Sequence, residues 1–164
     1  MKLHLGCGRV IIPGWVNVDR IPSTNGWEKD DMLRASITQV DLRQPWPWKT
    51  NSVELITISH LLYCMTKEEK QHIIESCYRV LEPIVGIVRI TEDDYASTAS
   101  KYREVLHHNA PEPMLKSNVI AMLVKAGFMC VHQLGPSETL ADDPMILQHR
   151  HADPPAVFFL EAQK

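Results

Sequence analysis

Residues able to do chemistry recur four times in the first sixty positions, each time directly after a short apolar run. Leu3-His4-Leu5 leads into Gly6-Cys7-Gly8, Val16-Asn17-Val18 into Asp19 and Arg20, Val40 into Asp41-Leu42, and Leu55–Ile58 into Ser59-His60. Glycines let the main chain turn sharply and come close to a ligand with amide groups facing its polar atoms. An acid just beyond the second strand can accept hydrogen bonds from two vicinal ribose hydroxyls. Asp41 beside apolar Leu42 suits an adenine, the acid to its exocyclic amine and the side chain to a ring face; a turn cap before Pro45 is the structural alternative. Ser59 and His60 add a hydroxyl and an imidazole. Parallel sheets bind ligands beyond their carboxyl ends, so all four features converge on one crevice. The arrangement holds a nucleoside without choosing which one.

The elements that must position these groups can be read from the apolar pattern. Short runs rich in Val and Ile predict strands at Lys2–Leu5, Trp15–Val18, Ile37–Val40 and Leu55–Ser59, of the kind found inside a mainly parallel sheet. Thr66-Lys67-Glu68-Glu69 has the form of a capping box and opens a helix over Lys67–Leu81, with Ile73, Ile74, Cys77, Tyr78 and Leu81 on its buried stripe. Pro83 ends that helix, and the apolar run Ile84–Ile90 predicts the next strand. A helix is expected over Ser97–His108, broken by Ala110-Pro111-Glu112-Pro113, and a stronger one over Ser117–Ala126 with Gly127 as its left-handed cap. Phe128–His132 and Val157–Leu160 are the last strand candidates. The segment between them carries the proline-rich loop Gly135–Pro155.

At 164 residues the chain has the size of one domain. Its 45% hydrophobic and 23% charged residues are those of a globular protein, and a net charge of −3 gives no global basic field to draw it onto nucleic acid or anionic lipid. No apolar run approaches the ~20 residues of a membrane span, and no signal-peptide core follows Met1, so a cytoplasmic location is expected. Cys7, Cys64, Cys77 and Cys130 lack zinc-finger spacing and are read as reduced thiols. His107-His108 and His149-Arg150-His151 have no partner acids or cysteines in a ligand pattern, so no metal is expected.

The motifs as a set resemble the class I S-adenosylmethionine-dependent methyltransferases, in their small "LGCG" branch. The resemblance rests on Leu5-Gly6-Cys7-Gly8, Pro13-Gly14-Trp15-Val16-Asn17-Val18-Asp19, Asp41-Leu42, Pro45-Trp46-Pro47-Trp48, Ser59-His60-Leu61-Leu62 and Cys77-Tyr78-Arg79-Val80-Leu81-Glu82-Pro83, and is specific over Leu3–Ile90. It implies an α/β, doubly wound, mostly parallel sheet of six to seven strands in a single domain over residues 1–164. It implies S-adenosylmethionine as cofactor, with S-adenosylhomocysteine as product. Leu5, Gly6, Cys7, Gly8, Asp19, Arg20, Asp41, Leu42, Ser59 and His60 would form the cofactor site. The implied reaction is methyl transfer to a small-molecule or sugar-like acceptor. The runner-up is an inactive or regulatory cofactor-binding domain working through a protein partner. A dinucleotide oxidoreductase ranks third, because the turn lacks the third glycine of the usual fingerprint.

Methyl transfer is a displacement, so the protein mainly aligns the reactants and excludes water. His60 is the candidate base, since an imidazole exchanges protons near neutral pH; bonding the cofactor loop is its structural alternative. Trp46 and Trp48 read as loop anchors or a stacking platform. Glu92-Asp93-Asp94 would order a lid, meet a polar acceptor or simply face solvent. Nucleic acid is disfavoured as a substrate, because no base-flipping motif follows the fourth strand.

Two departures from the branch stand out. His60-Leu61-Leu62-Tyr63-Cys64 replaces the usual His-Val-Leu-Glu-His, and Glu82-Pro83-Ile84-Val85-Gly86 places glycine late where the branch has Lys-Pro-Gly-Gly. Only ten residues separate Gly8 from Asp19, so the first crossover helix can be little more than one turn. With the chain opening at the first strand, a truncated amino terminus is expected to leave one sheet face in need of cover. A homodimer, a covering partner, or the folded-back Ser97–His108 and Gly135–Pro155 segments would supply it.

Overall fold

A computed structural model of the chain describes residues 1–20, 35–97, 111–147 and 157–164. Seven strands form one sheet: β1 (Lys2–Leu5), β2 (Val16–Asp19), β3 (Ile37–Gln39), β4 (Leu55–Ser59), β5 (Ile87–Asp93), β6 (Cys130–Leu134) and β7 (Val157–Gln163). Their order is β3-β2-β1-β4-β5-β7-β6. The first five run parallel, and β7 lies antiparallel between β5 and β6. Because β1, β2, β3 and β4 are parallel their carboxyl ends share one edge, and the reversal of strand order between β3 and β4 places there the switch point where α/β sheets bind ligands.

Helix α1 (Lys67–Val80) starts where the sequence places it. Thr66 accepts from the Glu69 amide and Glu69 accepts from the Thr66 amide, the reciprocal capping box. Its Ile73, Ile74, Cys77 and Val80 are buried against Leu3, Leu5, Ile56, Ile58, Val88 and Ile90 of the sheet. Complete burial of each Ile or Val contributes about 1.5–3 kcal/mol. Helix α2 (Lys116–Ala126) packs beside it through Val119, Met122 and Leu123 and ends at Gly127, whose φ of 108° allows its amide to reach back to Leu123 and Val124.

On the other sheet face the connection from β1 to β2 contains no helix. Residues between Gly8 and Trp15 form turns, not the short helix expected, because Asn17 holds them by side-chain bonds. Its Oδ1 accepts from the Ile12 amide at 2.9 Å, and its Nδ2 donates to the carbonyls of Ile12 and Trp15, each at 3.1 Å. This tucks Ile12 and Trp15 against Leu55 and Ile87, where the buried Ile146 of the turn Pro144–Leu147 joins them. Leu55 and Ile87 point opposite to Ile56 and Val88 by the two-residue strand period. Part of the missing cover therefore comes from the late loop, clipped at its far side by Lys2 Nζ on Asp143 at 2.7 Å. The expected Ser97–His108 helix beyond residue 97, both histidine runs, and the end of the proline-rich loop lie outside the described residues.

Two strands are displaced from their expected places: β6 runs over Cys130–Leu134 rather than Phe128–His132, Phe128 being buried in the core ahead of it, and β5 is shifted further. β5 begins at Ile87 rather than Ile84 because the chain turns tightly over residues 82–86, with the Gly86 amide on the Glu82 carbonyl at 3.0 Å. A Cβ on Gly86 would stand 2.5 Å from that carbonyl oxygen, so the late glycine is required there. Ile84 then takes φ +72° and is 76% exposed, in the place where the resembling branch carries glycine.

Candidate functional site

A cleft of about 310 Å³ opens at the carboxyl ends of β1, β2 and β3. Gly6, Asp19, Arg20, Asp41 and Leu42 line it, with Leu61, Cys64 and Met65 from the segment after β4 and Glu69 from α1. Gly6 has φ +65°, and a Cβ there would lie 2.8 Å from the Leu61 side chain, so both the turn and the packing demand glycine. Asp19 Oδ2 accepts the Gly8 amide at 2.7 Å, which ties the glycine turn to the end of β2. That bond turns the Gly8 amide inward, away from the ligand-facing role expected for it.

Asp41 is held more firmly than its neighbour. Arg43 donates from Nε to Oδ1 at 2.8 Å and from a terminal nitrogen to Oδ2 at 2.6 Å, and its amide adds a third bond at 3.1 Å. These bonds, with Arg20 nearby, hold the Asp41 carboxyl at about 2, below the usual range. A carboxylate offers about four acceptor positions, so one remains for an amine donor. Trp46 anchors the loop that follows. It is buried, donates from Nε1 to the Leu42 carbonyl at 2.9 Å, and meets Trp48 edge-on at 5.4 Å between ring centres.

Beyond β4 the chain makes a strained turn. His60 has φ +50°, rare for a residue with a Cβ, and is fixed by three consecutive residues at the end of β5. The Thr91 carbonyl accepts the His60 amide at 2.9 Å, and Asp93 Oδ2 lies 3.2 Å from His60 Nδ1. Between them, Glu92 Oε1 accepts the amides of Leu61 at 2.8 Å and Leu62 at 2.6 Å. Glu92 is wholly buried, and its Oε2 has no hydrogen-bond partner. Burial lifts its carboxyl to about 7 against the opposing pull of His60 and the two amides.

The sequence matches no family model and no curated protein. Solved structures do resemble the fold. An S-adenosylmethionine-dependent methyltransferase from Archaeoglobus fulgidus superposes with a TM-score of 0.70 at 16% identity, over 99% of this chain and 85% of that one. PigF, solved with SAH, gives 0.65 at 13% identity over 99% of this chain and 50% of its own. The fold is that of the S-adenosylmethionine-dependent methyltransferases. The same methyltransferase fold also serves other chemistry: the [4+2]-cyclase SpnF gives 0.56 at 18% identity over 80% of this chain and 52% of that one.

Within this methyltransferase fold the cleft gathers five of the ten residues singled out from sequence: Gly6, Asp19, Arg20, Asp41 and Leu42. Leu5 and Cys7 are wholly buried and serve the core, so their side chains stand outside the cleft. Gly8, Ser59 and His60 sit at its edge in the chain without lining it. Sequence reasoning missed the Arg43 grip on Asp41, although a basic residue two positions from an acid in a turn is a readable signal. It gave Glu92 a lid, an acceptor or solvent to meet, whereas the residue is wholly buried and accepts the amides of Leu61 and Leu62. A larger groove of about 680 Å³ runs between α1 and α2, past Lys67, Lys70 and Met122, and holds none of these residues.

Proposed function

We propose that the chain binds S-adenosylmethionine in the cleft beyond β1–β3 and transfers its methyl group to a small-molecule or sugar-like acceptor, as a member of the small "LGCG" branch. The observation that carries this reading is the meeting of Gly6, Asp19, Asp41 and Leu42 in one cleft at the ends of three adjacent parallel strands. The donor set fits the cofactor. Asp19 would take the ribose hydroxyls, Asp41 and Leu42 the adenine, and the close-packed Gly6 turn the methionine part. A volume of about 310 Å³ is within the ordinary size of a ligand site. When bound, the cofactor supplies an electrophilic methyl group on a sulfonium.

The chain's own residues would align the acceptor and receive its proton. His60 is one-tenth exposed with Asp93 Oδ2 3.2 Å from its Nδ1, a carboxylate that would orient the ring and stabilise the imidazolium formed on taking the acceptor's proton. Cofactor binding without turnover is the second reading, and the replacement of the branch's His-Val-Leu-Glu-His by His60-Leu61-Leu62-Tyr63-Cys64 favours it. Calorimetric titration with S-adenosylmethionine, S-adenosylhomocysteine, NAD and ATP tests the binding claim, and acceptor screening with His60→Gln as control tests the transfer.

A further inference from the structure

We propose that Glu92 is a positioning residue whose carboxylate clamps the turn after β4 and, through Leu61, sets the glycine turn that would hold the cofactor. The inference rests on the cofactor reading above and deepens it. Three contacts carry it. First, one oxygen of Glu92 receives two successive amides, of Leu61 and Leu62, at 2.8 and 2.6 Å. Second, those amides belong to the turn that keeps His60 at φ +50°. Third, Leu61 packs so closely on Gly6 that an added Cβ would meet its Cδ1 at 2.8 Å, its Cβ at 3.0 Å and its Cδ2 at 3.1 Å. A shift of the Leu61 main chain is therefore felt at Gly6, and both residues line the cleft.

Glu92 leaves Oε2 buried with no partner, as Arg89 does its Nε on the same strand, but only Glu92 holds residues that line the cleft. The groups whose charge reaches it are His60 at the end of β4, Cys64 in the following 3-10 turn, Lys70 on α1, and Asp93 on its own strand. Burial lifts its carboxyl to about 7, so the clamp changes charge near neutrality. Hydrogen bonds to an ionised acceptor are stronger than those to a neutral one. Deprotonation therefore tightens the hold on Leu61 and Leu62, and protonation loosens it.

The test follows the amides directly. In the ligand-free protein, the amide resonances of Gly6, Leu61 and Leu62 should titrate together between pH 5 and 9, and the shared transition should vanish in Glu92→Gln. S-adenosylhomocysteine should bind about 3- to 10-fold more tightly at pH 8 than at pH 6 in the wild type. In Glu92→Gln the change should stay under about twofold. Glu92→Leu, which removes the acceptor, should weaken binding at both pH values. A Gly6 amide that does not follow Leu61 and Leu62, or a transition that survives in Glu92→Gln, overturns the clamp. Failure of the wild type to bind S-adenosylhomocysteine at any pH overturns the cofactor reading instead, while the amide titration still decides the role of Glu92.

Discussion

Two carboxylates are wholly buried in the same sheet, and they meet burial in opposite ways. Glu161 on β7 pairs with Arg89 on β5 at 2.8 Å, neither side chain exposed, and its second oxygen accepts the Leu140 amide at 2.6 Å. Arg89 also donates to the carbonyls of Glu138, Gly135 and Pro136 and lies 5.2 Å from the centre of the Phe159 ring. Glu92, one register step beyond Thr91 on β5, has two amides on one oxygen and nothing on the other. The antiparallel flank uses charge to pin the loop over residues 135–140. The parallel edge keeps an unsatisfied acid beside a strained histidine and an open cleft. Both oxygens of Glu161 are satisfied, although Arg89 Nε has no partner; what sets Glu92 apart is that its unpaired oxygen lies behind the turn that borders the cleft.

Removing one side of the Arg89–Glu161 pair should have the largest effect on stability. Glu161→Ala leaves Arg89 buried without its anion and should cost about 3–5 kcal/mol in denaturant unfolding. The double variant Arg89→Met, Glu161→Leu should recover most of that loss, since a buried pair is often no better than an apolar one. A single variant as stable as the wild type would mean that the pair does not hold the flank.

At the working edge the effect should fall on rate. Once an acceptor is identified, His60→Gln should lower turnover by about 100-fold or more while leaving S-adenosylhomocysteine affinity within a few-fold. Equal turnover would return His60 to a structural role. Glu92 should be visible in stability as well. Its folded carboxyl, at about 7, lies above the unfolded value of 4.5, so the folded state binds the extra proton. Stability from this group is therefore full below the unfolded value and is lost as pH rises from about 4.5 to 7, by on the order of 3 kcal/mol. Relative to the wild type, Glu92→Gln should gain stability over that window, and a constant difference from pH 5 to 8 would contradict the assignment.

The smallest effect separates two strained residues. His60 and Ile84 both have positive φ, but only His60 adjoins the site. Ile84 is exposed, and its strain serves the tight turn ahead of β5. Left-handed strain costs about 1–3 kcal/mol, and glycine loses about 0.5–1 kcal/mol of that gain through its freer unfolded chain. Ile84→Gly should thus stabilise by about 1 kcal/mol with cofactor affinity unchanged. Destabilisation would show that the Ile84 side chain has a packing role.

Much of this contrast was legible in the residues, and the rest depends on contacts between distant ones. Strand β4, the Thr66–Glu69 box and the Gly127 cap follow from local pattern and appear within a residue of their expected places. Asp19 and Asp41-Leu42 were legible because strand ends carry their chemistry in the next one or two positions. Ile84-Val85 misled because β-branched residues suggest a strand, whereas the Glu82–Gly86 turn needs glycine late. Asn17 reads as part of a strand, yet its side chain replaces a crossover helix. Glu92 lies about thirty positions from the amides it accepts, a pairing that only the β4–β5 register brings together. The cover over the second face is likewise a contact between Ile146 and the residues Ile12 and Trp15.

The claim that the open edge is a cofactor site is tested most directly by titrating the purified protein in a calorimeter with S-adenosylmethionine, S-adenosylhomocysteine, NAD and ATP, alongside Asp19→Ala. The two methionine nucleosides should bind and the other two should bind far more weakly. Asp19→Ala should lose roughly 10- to 150-fold in affinity, the worth of about 1.5–3 kcal/mol for a hydrogen bond to a charged group. Tight binding of NAD with neither methionine nucleoside, or unchanged S-adenosylhomocysteine affinity in a folded Asp19→Ala, would contradict the account.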